Sequence, residues 1–259
     1  MIRVVVGGAT GRMGSLVCAL VRQQEDMELV GGIVSSGGGH VGKEIAPGVP
    51  ASGPELLEQV LENADVYVDA TNPAAAEKTL PHVPMLKVNA VIGTTGISEQ
   101  ALKQFEVLVA DNNVSAVVSP NFSVGVNVFW KMCGVLAAVM EGYDVEIIEV
   151  HHDKKKDAPS GTAVKAAQIV SEVTGIEDIV YGRHGTVGAR GREIGIHSVR
   201  AGDVVGEHTI IFAGNQERIE LTHRAHSREA FAEGCITAIR WVSARSDGKV
   251  HSMAEVLGL

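Results

Sequence analysis

The feature that most constrains this chain lies within its first fourteen residues. The run Ile2-Arg3-Val4-Val5-Val6 is β-branched and breaks into Gly7-Gly8-Ala9-Thr10-Gly11-Arg12-Met13-Gly14. Beyond it Met13, Leu16, Val17, Leu20 and Val21 recur at helical spacing. A strand that passes into a helix through glycines suits phosphate binding. Glycine permits the tight turn, and the N–H groups at the helix start can approach a pyrophosphate. The spacing here is GxxGxxG, with the first glycine one residue earlier than in the usual GxGxxG. In a chain with 30 glycines a spacing alone says little, but the strand–turn–helix context is what the motif requires. The reading is dinucleotide binding; the competing one is a purely structural turn.

Strand-like and helix-like stretches then alternate. Glu28 to Val34 is a second strand candidate and Leu56 to Leu61 a helix. Asp65 to Ala70, Val88 to Ile92 and Val114 to Val118 follow as strands, with a helix over Glu99 to Val109. That rhythm predicts βαβ units, hence an α/β domain with a Rossmann-like, doubly wound, mostly parallel sheet. The second half differs. Val126 to Met140 reads as a long apolar helix, Val145 to Val150 as a strand and Thr162 to Thr174 as a helix. Alternating runs at Ile194 to Val199, His208 to Phe212 and Arg218 to Thr222 predict a mixed sheet, and so a second, α+β domain. A last helix over Arg228 to Val242 carries Phe231, Cys235, Ile236, Ile239 and Val242 on one face.

An NAD site expects an acid at the end of the second strand to hold the ribose 2′-OH. Here the strand ends in Val34-Ser35-Ser36. No carboxylate is in place to repel a 2′-phosphate, the serines can donate to one, and Arg12 belongs to the phosphate loop. The expectation is that NADPH serves at least as well as NADH. The alternative is that Ser35 to Gly39 is a loop without cofactor contact.

Charge and cysteine usage narrow the partners. With 22 Lys+Arg against 31 Asp+Glu the net charge is −9, the wrong sign for nucleic acid; a small anion, which meets only its own pocket, stays possible. Cys18, Cys133 and Cys235 form neither a disulfide framework nor a CxxC pair. No apolar run reaches the roughly 18–20 residues of a membrane span, and the chain opens directly on a strand without a signal segment. A cytoplasmic protein without membrane contact is expected.

The densest chemistry lies in Glu149-Val150-His151-His152-Asp153-Lys154-Lys155-Lys156-Asp157-Ala158-Pro159-Ser160-Gly161-Thr162. Adjacent residues at a strand end point to opposite sides, so His151 and His152 cannot duplicate one another. Ser160-Gly161-Thr162 opens the next helix with a natural N-cap, and helix starts attract anions. The lysines add positive charge. Together they describe a carboxylate pocket beside a titratable imidazole, suited to general acid catalysis. A solvated lysine run before an ordinary capped helix is the alternative, and it fits two of the three lysines.

This loop, the Gly8–Gly14 turn, Val91-Ile92-Gly93-Thr94-Thr95-Gly96, Asn121-Phe122-Ser123-Val124-Gly125-Val126-Asn127 and Arg200-Ala201-Gly202-Asp203-Val204-Val205-Gly206-Glu207-His208-Thr209 together resemble the 4-hydroxy-tetrahydrodipicolinate reductase (dihydrodipicolinate reductase) family. The resemblance spans essentially the whole chain in order. It implies a two-domain, homotetrameric oxidoreductase of lysine and diaminopimelate biosynthesis that uses NADPH or NADH. A dinucleotide-binding domain would comprise residues 1–122 and 229–259, and a substrate-binding and oligomerisation domain residues 123–228. Gly8, Ala9, Thr10, Gly11, Arg12 and Met13 would hold the pyrophosphate. Gly93, Thr94, Thr95, Ser119, Pro120, Asn121 and Phe122 would line the nicotinamide side. Val34 and Ser35 stand where many members carry the ribose acid. His151 matches the proposed proton donor, a role also described for Lys155. His152, Lys155, Ser160, Gly161, Thr162 and Arg228 would surround a small dicarboxylate substrate.

Other classes fit less well. His223-Arg224-Ala225-His226 lacks the Glu of an HExxH helix and adjacent His151-His152 are awkward for one ion, so no metal site is expected. A non-catalytic NADP(H)-binding sensor would need the glycine turn but not the His151/Lys155 constellation. An aspartate dehydrogenase acting on an amino dicarboxylate would lack Asp157-Ala158-Pro159-Ser160-Gly161-Thr162.

Overall fold

The computed structural model describes residues 1–259. In chain order the elements are β1 (Ile2–Gly7), α1 (Gly14–Val21), β2 (Met27–Ile33), β3 (Glu44–Ala46), β4 (Val49–Ser52), α2 (Leu57–Leu61), β5 (Val66–Asp69), α3 (Pro73–Thr79), α4 (His82–Met85), β6 (Asn89–Ile92), α5 (Glu99–Asn112) and β7 (Ala116–Val118). Then come α6 (Val124–Val139), β8 (Asp144–His151), α7 (Gly161–Thr174), β9 (Ile179–Tyr181), β10 (Ile194–Arg200), β11 (Gly206–Gly214), β12 (Glu217–Ala225), α8 (Glu229–Ser243), β13 (Val250–His251) and α9 (Met253–Leu257). The chain divides into a first unit, Met1–Ser123 with Phe231–Leu259, and a second, Val124–Ala230.

The first unit is built on an eight-stranded sheet of order β13-β7-β6-β5-β1-β2-β4-β3. All its pairings are parallel except β3 with β4. Strand order reverses between β1 and β5, the switch point at which open α/β sheets bind ligands, outside the carboxyl ends of the strands. Continuous apolar strands such as Val4-Val5-Val6 are fully buried, as a parallel sheet covered on both faces demands. One side is sealed by α1 and α8, whose Val17, Val21, Cys235, Ile236 and Ile239 join Val4, Val6 and Val68; the other by α2 and α5, with Leu61, Phe105 and Val109 against Val5 and Tyr67. Phe231, expected on the buried face of α8, is only half-buried; Ala232 takes the inner position.

The second unit is a five-stranded mixed sheet, β12-β11-β8-β10-β9, with β8, β10 and β9 parallel and β11 antiparallel to β8 and β12. Its apolar core joins Val126, Phe129, Trp130 and Cys133 of α6, Ala163, Ala166 and Val170 of α7, and Val145, Ile147, Ile196, Ile210 and Phe212 of the strands. Along β8 burial alternates strictly, so Val145, Ile147, Glu149 and His151 share the buried face. The apolar row thus ends in two polar residues at the carboxyl end of the strand.

Candidate active site

At the switch point the glycines have identifiable work. Gly8 has φ +74, and a Cβ there would strike the carbonyl oxygen of Ala70 after β5; a Cβ on Gly14 would strike the carbonyl of Gly8. The loop is therefore wound tightly on itself. Gly8 and Ala9 donate their N–H groups to Ile33 O at 2.8 and 3.3 Å, and Gly11 donates to Gly8 O at 2.8 Å. No acceptor in the chain takes the backbone N–H of Thr10, Arg12 or Met13. Unpaired amides at the start of α1 are the donors a pyrophosphate requires, and the loop fits that group.

The remaining cofactor candidates follow the carboxyl ends of neighbouring strands: Val34 and Ser35 after β2, Gly93 to Thr95 after β6, Ser119 to Phe122 after β7. Parallel pairing gathers them on one edge of the sheet. Asp69, fully buried at the end of β5, organises this edge. Its carboxylate accepts from Tyr67 Oη at 2.9 Å, from Thr71 N and Oγ1 at 3.2 and 2.7 Å, and from Thr94 Oγ1. Burial, then the neighbouring carboxylate, pushes the Tyr67 phenol well above its ordinary value. Phe122 is buried with its ring edge against Gly93, and Ser119 Oγ donates to Asn121 O at 2.7 Å.

Local sequence sets no carboxylate beside Ser35-Ser36, but the fold does: Ser36 Oγ lies 3.5 Å from Glu55 Oε2. The acid arrives because β4 pairs with β2 and the chain leaving β4 turns past the end of that strand.

In the second unit, His151 Nδ1 meets Glu149 Oε2 at 2.6 Å. The Glu149 carboxylate, with no solvent exposure, also receives both guanidinium nitrogens of Arg200 at 2.8 Å and the N–H of Ser160 at 3.1 Å. Burial alone would raise its pKa; the bonds from His151, Arg200 and Ser198 outweigh that and hold it well below the usual carboxylate range. His151 Nε2 sits over Gly206, where even a Cβ would come within 3.0 Å. Ser160 caps α7 by accepting from Ala163 N at 3.2 Å, and its Oγ also meets His208 Nε2 at 2.8 Å. The His208 ring stands edge-on to His151 with centroids 5.1 Å apart. Burial first, then the charge of His151, bring His208 down to about 3, so it stays neutral.

The structure thus brings His151 and the Ser160–Thr162 helix start together through Glu149. His152 follows directly, half-buried, with a buried Nδ1 that has no partner. Lys155 Nζ is held by Asp157 at 2.8 and 3.0 Å, and that ammonium lowers the pKa of Asp157; Lys154 and Lys156 are exposed. Ser160, expected at the substrate, is buried with its N–H and hydroxyl both committed within the protein. Arg228 is exposed in the turn before α8 and lies outside this hydrogen-bond network. No spacing or motif marks Arg200 or His208 as partners of this site. Glu149 was signalled by its i, i+2 relation to His151 on one strand; the other two arrive through register, Arg200 opposite His151 and His208 opposite Glu149.

Comparison with known proteins agrees along the whole chain. Residues 2–122 match the family model described as dihydrodipicolinate reductase, N-terminus, and residues 125–257 that of the C-terminus. The 4-hydroxy-tetrahydrodipicolinate reductase of Methanosarcina barkeri is 48% identical, with 100% of each chain covered. That of Methanocaldococcus jannaschii is 47% identical, covering 100% of this chain and 98% of its own. Among solved structures, the dipicolinate-bound dihydrodipicolinate reductase of Paenisporosarcina sp. TG-14 superposes with TM-score 0.81 at 32% identity over 98% of both chains. The NAD complex of GenD2, at 15% identity and TM-score 0.63 over 99% of this chain and 90% of its own, shares the fold.

Proposed function

This chain belongs to the dihydrodipicolinate reductase family, and from that premise we propose that it is an NAD(P)H-dependent oxidoreductase reducing 4-hydroxy-tetrahydrodipicolinate to tetrahydrodipicolinate, with protonation of the ring and loss of water. The observation that carries the reading is the imidazole of His151, locked at Nδ1 by a buried carboxylate that also grips the start of α7. The nicotinamide cofactor, when bound, supplies the hydride. The first unit is the dinucleotide-binding domain. Its Thr10, Arg12 and Met13 amides hold the pyrophosphate, and the Asp69–Thr71–Thr94 network fixes the nicotinamide side.

The second unit binds and protonates the substrate. His151 delivers a proton from Nε2, the nitrogen left by the Glu149 bond. Gly161 and Thr162 at the positive end of α7, the side chain of Lys155 and that of the half-buried His152 receive the two carboxylates. Withdrawing negative charge there makes the ring a better hydride acceptor. Lys155, held by Asp157, serves in this scheme as an anion ligand rather than the acid. Ser160 acts as the cap, and Arg228 is a further cation for the substrate.

Both NADH and NADPH are used. Ser35 and Ser36 favour a 2′-phosphate, and Glu55 opposes it. The active form is a homotetramer assembled through the second unit's sheet face opposite α6 and α7, where Ile148, Val150, Thr209 and Ile211 are half-buried and Val199 is exposed. Three free, buried cysteines are in keeping with a reducing cytoplasm. The test couples NADPH or NADH oxidation to enzymatically generated 4-hydroxy-tetrahydrodipicolinate. Substrate-dependent oxidation is expected, and none with either cofactor overturns the proposal.

A further inference from the structure

Resting on the reductase reading, a deeper assignment concerns two residues to which no role has been given. We propose that Glu149 and Arg200 are the positioning pair of the site: Glu149 fixes His151 with Nδ1 bearing the inward proton and Nε2 as the delivering atom, and holds the dicarboxylate-binding helix start in register with it.

The hydrogen bonds of this one carboxylate make the case. Oε2 takes His151 Nδ1 at 2.6 Å and Arg200 at 2.8 Å; Oε1 takes Arg200 at 2.8 Å and Ser160 N at 3.1 Å. A wholly buried charge is costly unless it is paired and its lone pairs are filled, and here both conditions hold. Because a carboxylate only accepts, His151 must present an N–H at Nδ1, which leaves Nε2 to give or take the working proton. The second oxygen grips the residue that caps α7, so the acid and the helix start share one rigid support. Arg200 extends the reach. Beyond its two bonds to Glu149 it donates to Asp157 O at 2.7 Å, anchoring the segment whose Asp157 side chain holds Lys155.

Arg200 also sets the electrostatics. An uncompensated buried carboxylate would bind the imidazolium proton too firmly to release it, whereas a bidentate guanidinium brings the Glu149–Arg200 pair close to neutral. His208 from β11 stands edge-on to His151, and it in turn lies within the electrostatic reach of His223 on β12 and Lys155 of the loop. His208 remains neutral. Glu149, held well below the ordinary carboxylate range, does not itself take the proton.

Nitrogen-15 NMR of the histidine rings in the intact wild-type chain should find neutral His151 as the Nδ1–H tautomer; an Nε2–H tautomer overturns the assignment. This arm requires neither a variant nor turnover. The second arm follows kcat/KM against pH. An acid catalyst loses activity as pH rises through its pKa, and removing a nearby negative charge lowers that pKa. Glu149→Gln should therefore move the high-pH limb down by about one unit or more, and Arg200→Met should move it up. A purely structural role would depress activity at every pH and leave the limb in place, which overturns the proposal. Wild type unable to oxidise either cofactor with substrate refutes the reductase reading instead, and the tautomer then decides the positioning claim alone.

Discussion

His208 and Glu149 should each make the native state less stable as pH falls, by opposite routes. His208 is pushed down to about 3 by burial and by the charge of His151, whereas an unfolded histidine titrates near ~6.5. Between those values the unfolded chain binds a proton that the native state refuses, so stability falls as pH drops below about 6.5, by up to ~1.4 kcal/mol per pH unit. Glu149 is an acid with a depressed native pKa; its contribution is intact above the ordinary carboxylate range and is lost as pH falls below it. Urea denaturation at pH 7 and pH 5 should show the first loss, and His208→Asn should flatten the slope. Equal slopes in both proteins would contradict the assignment. At the same scale, His151→Gln should lower kcat by ~10²–10⁴ while the dissociation constant for NADPH holds. A normal kcat would exclude His151 as the acid. Lys155→Ala should raise KM as well as lower kcat, because it removes a fixed positive charge; native kinetics would make that lysine a solvated one.

Elements place residues that local sequence keeps apart. The strand–glycine–helix turn at Gly8–Gly14 and the capped start of α7 were both legible, since each depends on neighbours a few positions away. The strands β3 and β4 were not legible. They are three and four residues long, β4 contains Pro50, and they exist because β4 adds to the edge of β2. That pairing delivers Glu55 to Ser36, 19 residues away along the chain, and so sets a carboxylate beside the serines. Glu55→Gln should accordingly raise kcat/KM for NADPH relative to NADH, since it removes the charge that repels a 2′-phosphate; an unchanged ratio means Glu55 lies outside the ribose site.

For the whole molecule the sheet face of the second unit is the consequential surface. Ile211, on the central strand pair, points away from α6 and α7, and burying apolar area there would drive assembly. Ile211→Lys should lower the mass found by light scattering while circular dichroism stays native; an unaltered oligomer would exonerate that face. The amino-acid sequence by itself determined the α/β alternation, the strand–glycine–helix turn, the imidazole ahead of a capped helix start and the family resemblance. All of these are written in periodicity, turn chemistry and short motifs. Only the tertiary structure decided that Arg200, 51 residues from Glu149, closes on it, that His208 engages Ser160, and that α8 and β13 return to the first sheet. Strand register makes neighbours of residues whose separation along the chain carries no signal, and burial then fixes which of them remain charged.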